Sequence, residues 1–196
     1  MTDRPSIAYE AGSAAEGLGL AALVRSAQAG SEAAFAQLID ERRHRLYRTA
    51  WAILRSDADA FDAAQDVCVA AWRELPRLRD PERFDAWLTR SLVNRCRTML
   101  RTRRRTSVHE ITLDPGGDRD PSWSGGLGPE HADSDAIQRA YARLSADERT
   151  YLALHYVEER PIAEIARLVG APSGTVKWRL SRARAALERQ LARERR

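Results

Sequence analysis

The sequence predicts an all-α protein made of two small helical domains joined by a flexible linker, with a helix-turn-helix in the second domain. Apolar residues recur every three or four positions along most of the chain, and no sustained alternation typical of a β-strand occurs. Between residues 106 and 134 this periodicity gives way to turn-forming runs such as Pro115-Gly116-Gly117. We therefore expect a disordered tail over 1–19, a helical domain over 20–105, an acidic linker over 106–134 and a helix-turn-helix domain over 135–196.

Four helices are predicted in the first domain. Gly30 breaks the first, and Ser31 is placed to cap a second helix that ends near Arg55. A third helix covers about 57–75, followed by a loop over Pro76–Glu82 and a fourth helix over about 83–104. On the third helix, the pattern predicts an inward face made of Phe61, Ala64, Cys68, Ala71, Trp72 and Leu75. The outward face is predicted to carry Asp62, Gln65, Asp66 and Val69.

The second domain contains two amphipathic helices about a tight turn. Before them, Ser145 and Glu148 have the spacing of a capping box. The first of the pair covers about 161–169 and ends at Gly170, and Ser173 is expected to cap the second. A short turn with glycine between such helices is typical of a helix-turn-helix. The outward face of the second helix is predicted to carry Lys177, Trp178, Ser181, Arg182 and Ala185.

Charge is distributed unevenly along the chain. The formal net charge of all 196 residues is only +4. Residues 160–196, however, hold ten Arg and Lys against three Glu, whereas residues 106–134 hold six acids against one Arg. A net charge of +7 on the helix-turn-helix segment favours binding to the phosphate backbone of DNA over the alternative of a helical hairpin with a solvated basic face.

The sequence gives little support for catalysis, and we expect no catalytic residues, no metal, no cofactor and no small-molecule substrate. The four histidines are dispersed, and neither a phosphate-binding glycine loop nor a nucleophile elbow is present. Cys68 and Cys96 are expected to be buried thiols without a disulfide. Since no apolar run approaches the roughly 20 residues of a membrane span and no signal peptide is recognisable, we expect a cytoplasmic protein without membrane insertion.

Both domains resemble parts of bacterial RNA polymerase sigma factors of the extracytoplasmic-function group. The first resembles their region two in the segments AGSEAAFAQLIDERRHRLYRTAWAIL and DAAQDVCVAAWRELPRLRDPERFDAWLTRSLVNRCRTMLRTRRR. The second is similar to their region four in LSADERTYLALHYVEERPIAEIARLVGAPSGTVKWRLSRARAAL. The resemblance runs from about Leu20 to Leu191 and keeps the family's order of domains, with neither region one nor region three.

The resemblance implies a protein that binds core RNA polymerase, recognises promoter DNA and promotes its opening, with an anti-sigma factor as a further expected partner. It implies that polymerase is bound by Asp62, Gln65, Asp66 and Val69. It implies that the downstream, minus-ten promoter element is bound by the Pro76–Glu82 loop and the fourth helix, through Arg77, Leu78, Arg79, Asn94, Arg97 and Arg101. It implies that the upstream, minus-thirty-five element is bound by Lys177, Trp178, Arg179, Ser181 and Arg182.

The chain departs from the family pattern at three places. Phe61, Ala63 and Ala64 replace acidic and larger aliphatic residues, Thr98 stands where the family often has Asp, and Trp178 replaces a small polar residue. Two other functions are considered: a conventional helix-turn-helix regulator with a sensing or dimerisation domain, and a DNA-processing enzyme with the same motif. A repressor normally dimerises over a palindrome, and the two dissimilar basic domains favour the sigma factor.

Overall fold

A computed structural model describes residues 19–107 and 131–194. The predicted tail and most of the predicted linker therefore lie outside the described residues. Within the two described ranges every regular element is helical, which confirms the all-α prediction. The predicted domain boundaries stay predictions, although the helices next to the linker end at Ser107 and begin at His131.

The first range contains four α-helices. They are α1 (19–28), α2 (Glu32–Leu54), α3 (Asp57–Glu74) and α4 (Phe84–Ser107), and two 3-10 turns, Leu75–Arg77 and Pro81–Arg83, lie between α3 and α4. Ser31 caps α2 as predicted, because its side chain accepts a hydrogen bond from the Ala34 backbone N–H. The left-handed Arg55 then ends α2, with φ of 58°. This tight corner allows α3 to fold back onto α2.

The buried face of α3 differs from the prediction. Its core side chains are small, namely Ala60, Ala63, Val67 and Ala71, whereas Phe61 is 61% exposed and Trp72 is 42% exposed. Ala64 and Cys68 are only half-buried, so of the predicted inward set Ala71 and Leu75 alone are fully buried. The sequence-based assignment was wrong because it gave weight to side-chain size, while an alanine stripe lets α2 and α3 approach closely.

The second range contains the helix-turn-helix. It is built from α5 (His131–Ala142), α6 (Ala146–Leu152), a π-helical turn (Ala153–Val157), α7 (Ile162–Val169) and α8 (Ser173–Glu194). The capping box of Ser145 and Glu148 is present as predicted, and Gly170 ends α7 in the left-handed conformation with φ of 67°. Ser173 is the first residue of α8 rather than its cap, so that prediction is off by one position.

The two helical units pack against each other around a buried carboxylate. Glu158 lies in the second unit, and its side chain is only 1% exposed. Its oxygens accept hydrogen bonds from Thr49 of α2 at 2.7 Å and from Thr89 of α4 at 3.2 Å. Two arginines, Arg45 and Arg160, lie 3.7 Å from the same carboxylate. One side chain thus contacts both long helices of the first unit.

Backbone and apolar contacts extend this interface. The Arg149 guanidinium donates to the Ile53 carbonyl at 2.8 Å, near the end of α2. Arg55 donates to the Gln138 side chain at 3.0 Å. Buried apolar residues of both units also form one continuous cluster. The interface is therefore a shared core that fixes the units relative to each other in this structure.

Candidate nucleic-acid interface

The outer face of α3 brings together the four side chains predicted to bind polymerase. Asp62, Gln65, Asp66 and Val69 are all exposed, and the spacing of three and four residues places them on one helical face with Phe61 at its edge. The sequence did not predict one contact of this face. Asp66 forms an ion pair with Arg95 of α4, at 2.5 Å. A partner 29 positions away leaves no local signal. The negative charge of Asp66 is therefore already paired with a positive charge of the same chain.

The loop between α3 and α4 is held in shape by α1. The Gln28 side-chain amide donates to the carbonyls of Leu75 at 3.0 Å and Leu78 at 2.7 Å. Leu78 is half-buried and packs on the core, so it supports the loop, while Arg77 and Arg79 are exposed. Gln28 was not expected to matter, because its contacts lie about fifty residues away along the chain.

A polar and basic stripe continues along α4. Asn94 and Arg101 are exposed and Arg97 is half-buried. Their spacing of three and four residues places them on one face of α4, over about 10 Å of helix axis. Asn94 follows the start of α4 by ten residues, about 15 Å along the axis, so the stripe is separate from the loop arginines. The six predicted downstream residues thus form two groups rather than one cluster.

Four of the five residues predicted for the outward face of α8 are exposed, and the fifth, Ala185, is half-buried. Lys177, Trp178, Ser181 and Arg182 are exposed, while Val176, Leu180, Ala183 and Ala186 are buried against the rest of the unit. Trp178 is 59% exposed, and the Arg182 guanidinium carbon lies 5.4 Å from the centroid of its ring. A helix with this exposed polar face has the form that enters a major groove.

Arg179 lies apart from those four. Its guanidinium donates to the Tyr151 hydroxyl at 2.9 Å and pairs with Asp147 at 3.2 Å. The same group lies 5.4 Å from the centroid of the Tyr151 ring. All three contacts are to α6, so Arg179 joins α8 to the helix beneath it. The family resemblance placed Arg179 among the residues that bind the upstream element, whereas the outward face predicted for the helix did not include it.

The described residues contain neither a metal-ligand cluster nor a membrane-spanning helix. Residues 19–107 and 131–194 hold no group of three His, Cys, Asp or Glu side chains able to ligate a metal. A groove of about 500 Å³ between the two units is lined mainly by apolar and aromatic side chains, and no Ser, Cys or His is among them. Within the same ranges, every helix is too short or too polar to traverse a lipid bilayer.

Both cysteines are free thiols, but only Cys96 is buried as predicted, and Cys68 is half-buried. Cys96 is fully buried, and burial raises the pKa of its thiol to about 12. Burial also raises the pKa of the half-buried Cys68. Because thiolate and access set reactivity, we expect a disulfide reagent at pH 8 to label Cys68 about tenfold faster than Cys96 in the folded protein. Peptide mapping after timed labelling measures this ratio, and equal rates would contradict the burial of Cys96.

Comparisons with known proteins agree with the two-part architecture. The family models "Sigma-70 region 2" and "Sigma-70, region 4" match residues 38–106 and 134–187. The ECF RNA polymerase sigma factor SigM of Mycobacterium tuberculosis is 33% identical over 175 residues, which cover 87% of this chain and 84% of SigM. The ECF RNA polymerase sigma factor SigW of Bacillus subtilis is 27% identical, over 86% of this chain and 94% of SigW.

Two solved structures share the fold. CnrH, solved in complex with the cytosolic domain of CnrY, superposes with a TM-score of 0.63 at 26% identity, over 88% of this chain and 97% of that chain. The sigma factor RpoE of Bartonella quintana, solved with the anti-sigma factor NepR, gives a TM-score of 0.64 at 24% identity, over 81% and 96%. The second likeness shows the fold alone.

Proposed function

The chain belongs to the extracytoplasmic-function family of RNA polymerase sigma factors, and we propose that it binds polymerase and promoter DNA through three separate surfaces. The first is the exposed face of α3, the second is the loop before α4 with the polar stripe of α4, and the third is the outward face of α8. One observation supports this proposal above the others. The polar side chains on the outward face of α8 are exposed, while the apolar side chains on the opposite face of the same helix are buried.

The function of the family is binding rather than covalent chemistry. As a sigma factor, the protein binds core RNA polymerase, recognises promoter elements and promotes DNA opening. We extend this to the proposal that the chain has no catalytic activity of its own and works in the cytoplasm, where the polymerase acts. The alternative of a conventional helix-turn-helix regulator would require binding to DNA without polymerase.

The proposed polymerase surface is the α3 face of Asp62, Gln65, Asp66 and Val69. Two carboxylates on an exposed helix face suit a partner surface with basic side chains. Asp62 is the better residue to substitute, because Asp66 forms an ion pair with Arg95 and its substitution would also break that contact. Val69 is 45% exposed and supplies apolar area at the C-terminal end of the same face.

We expect Asp62→Arg to weaken binding to core polymerase about tenfold, because it places a like charge against a basic partner surface. Binding of fluorescently labelled protein to purified core polymerase measures the change. Asp40→Arg on the exposed face of α2 introduces the same charge difference and should leave the affinity close to wild type. Unchanged affinity for Asp62→Arg, with a native circular dichroism spectrum, would exclude this face.

The two DNA surfaces differ in character. The α4 stripe and the loop arginines carry cations that suit a phosphate backbone, whereas Asn94 can also bind a base edge. The α8 face combines Lys177 and Arg182 with the hydroxyl of Ser181, which are side chains able to read major-groove edges. We propose that the first surface binds the downstream element and the second binds the upstream element.

An anti-sigma factor is proposed as a further partner. CnrH, which shares 26% identity with this chain over most of its length, was solved bound to another protein, the cytosolic domain of CnrY, and the proposal assigns a protein partner of this kind to the chain. A protein that covers the two units together would keep them from polymerase and promoter.

Run-off transcription tests the function as a whole. Core polymerase lacking any sigma factor is combined with the purified chain on fragmented genomic DNA. We expect discrete transcripts that depend on the added chain. Binding to a palindromic site as a dimer, without any chain-dependent transcript, would instead support the conventional regulator.

A further inference from the structure

Trp178 is an exposed aromatic side chain on the outward face of α8. It is 59% exposed, and the neighbouring face residues Lys177 and Ser181 are polar. The buried stripe of the helix consists of other residues, so packing of the core does not require an indole at this position. Because the rest of this surface suits DNA, we expect the apolar ring to contact an apolar group of a DNA base.

The ring is also held in place. Arg182 lies one helical turn after Trp178, and its guanidinium carbon is 5.4 Å from the ring centroid. A cation over an aromatic face is attractive at this distance. The pair therefore restricts both side chains, with the guanidinium over one face of the indole and the tryptophan still 59% exposed.

In the major groove, the apolar feature that a side chain can contact is the C5-methyl group of thymine. An indole offers a single N–H donor and no acceptor, so it can satisfy only one of the two acceptors, N7 and O6, that guanine presents in the major groove. Arg182, in contrast, has the bidentate geometry that matches guanine. The two neighbours are thus suited to two different bases.

We propose that Trp178 contacts a thymine methyl group in the upstream promoter element, beside a guanine read by Arg182, so that the two side chains select a thymine and a guanine together. This proposal rests on the function proposed above. One turn of helix advances 5.4 Å and one base pair advances 3.4 Å. The thymine should therefore lie one or two base pairs from the guanine.

The test uses holoenzyme assembled from core polymerase and the full chain, on a promoter recovered by run-off transcription. Each thymine of the upstream element is replaced in turn by deoxyuridine, which removes only the methyl group. At one position we expect about fourfold weaker binding of the wild-type holoenzyme, because one buried methyl contributes about this factor. The guanine is located separately, as the base pair to which Arg182→Ala has lost sensitivity.

Trp178→Ala supplies the decisive comparison. It should bind the thymine and deoxyuridine promoters equally, while Trp178→Phe keeps part of the preference. The proposal is overturned if wild-type holoenzyme tolerates deoxyuridine at every position, if Trp178→Ala retains the full preference, or if the sensitive thymine lies more than two base pairs from the guanine. Failure of the proposed function would be seen earlier and differently, as the absence of any transcript that depends on the chain.

Discussion

Glu158→Ala is expected to lower the free energy of unfolding by about 2–4 kcal/mol. The carboxylate is buried and bridges the two units through Thr49 and Thr89, with Arg45 and Arg160 nearby. Alanine would remove all these contacts and leave two threonine hydroxyls without their acceptor. A buried polar group that loses its hydrogen-bond partner destabilises the folded state by its full desolvation free energy, and this makes the expected loss of stability large.

Urea denaturation followed by circular dichroism measures this change. The neighbouring Glu159 is exposed and serves as a matched control, because its left-handed backbone (φ of 52°) strains glutamate and alanine alike and Glu159→Ala removes only an exposed carboxylate next to the interface. We expect the control to stay within about 0.5 kcal/mol of wild type. If both variants unfold at the same urea concentration as wild type, the Glu158 contacts do not stabilise the folded protein.

The same variant tests whether the two units unfold together. In the wild type, the shared apolar cluster and the polar contacts of Glu158 join the units, so we expect one cooperative transition. Weakening the interface should separate the transition into two, and the change in the free energy of unfolding is then taken from the unit that unfolds first. Variants that keep a single tryptophan, either Trp87 of α4 or Trp178 of α8, make the fluorescence report on the first or the second unit alone. Two coincident transitions in Glu158→Ala would show that other contacts suffice to join the units.

Features set by neighbouring residues could be predicted from the sequence. Ser31 as a cap, the capping box of Ser145 and Glu148, and the left-handed Gly170 all depend on residues within a few positions of each other. Helical periodicity likewise placed Lys177 and Arg182 on the outward face of α8. These are short-range rules, and the structure follows them.

Features set by contacts between distant residues could not be predicted. Glu158 and Thr49 are 109 positions apart. Gln28 and Leu78, whose hydrogen bond holds the loop between α3 and α4, are 50 positions apart. The inward face of α3 was misassigned for a related reason: the close packing of α2 decides which side is buried, and an alanine stripe carries little hydrophobic signal. Trp178 was identified as an unusual residue, but its contact with Arg182 required the structure.

Arg182 and Arg179 are expected to give opposite results when each is replaced by alanine. Arg182 is exposed on the outward face of α8. Its removal should cost about 1–3 kcal/mol of discrimination at one base pair of the upstream element, if the contact is bidentate to guanine. The folded state should be unaffected. Binding of the holoenzyme to promoters altered at single base pairs measures this loss, and an equal loss for all sequences would instead indicate a phosphate contact.

Arg179 contacts Tyr151 and Asp147 of α6 rather than the outward surface. Because that ion pair is partly exposed, Arg179→Ala should lower the free energy of unfolding by only about 1 kcal/mol. It should also weaken promoter binding about equally for every altered base pair, since α8 would be held less firmly while its reading side chains remain. Tyr151→Phe, which keeps the ring and removes the hydroxyl, should reproduce part of the effect. A changed base preference in Arg179→Ala, at wild-type stability, would place this arginine among the residues that read DNA.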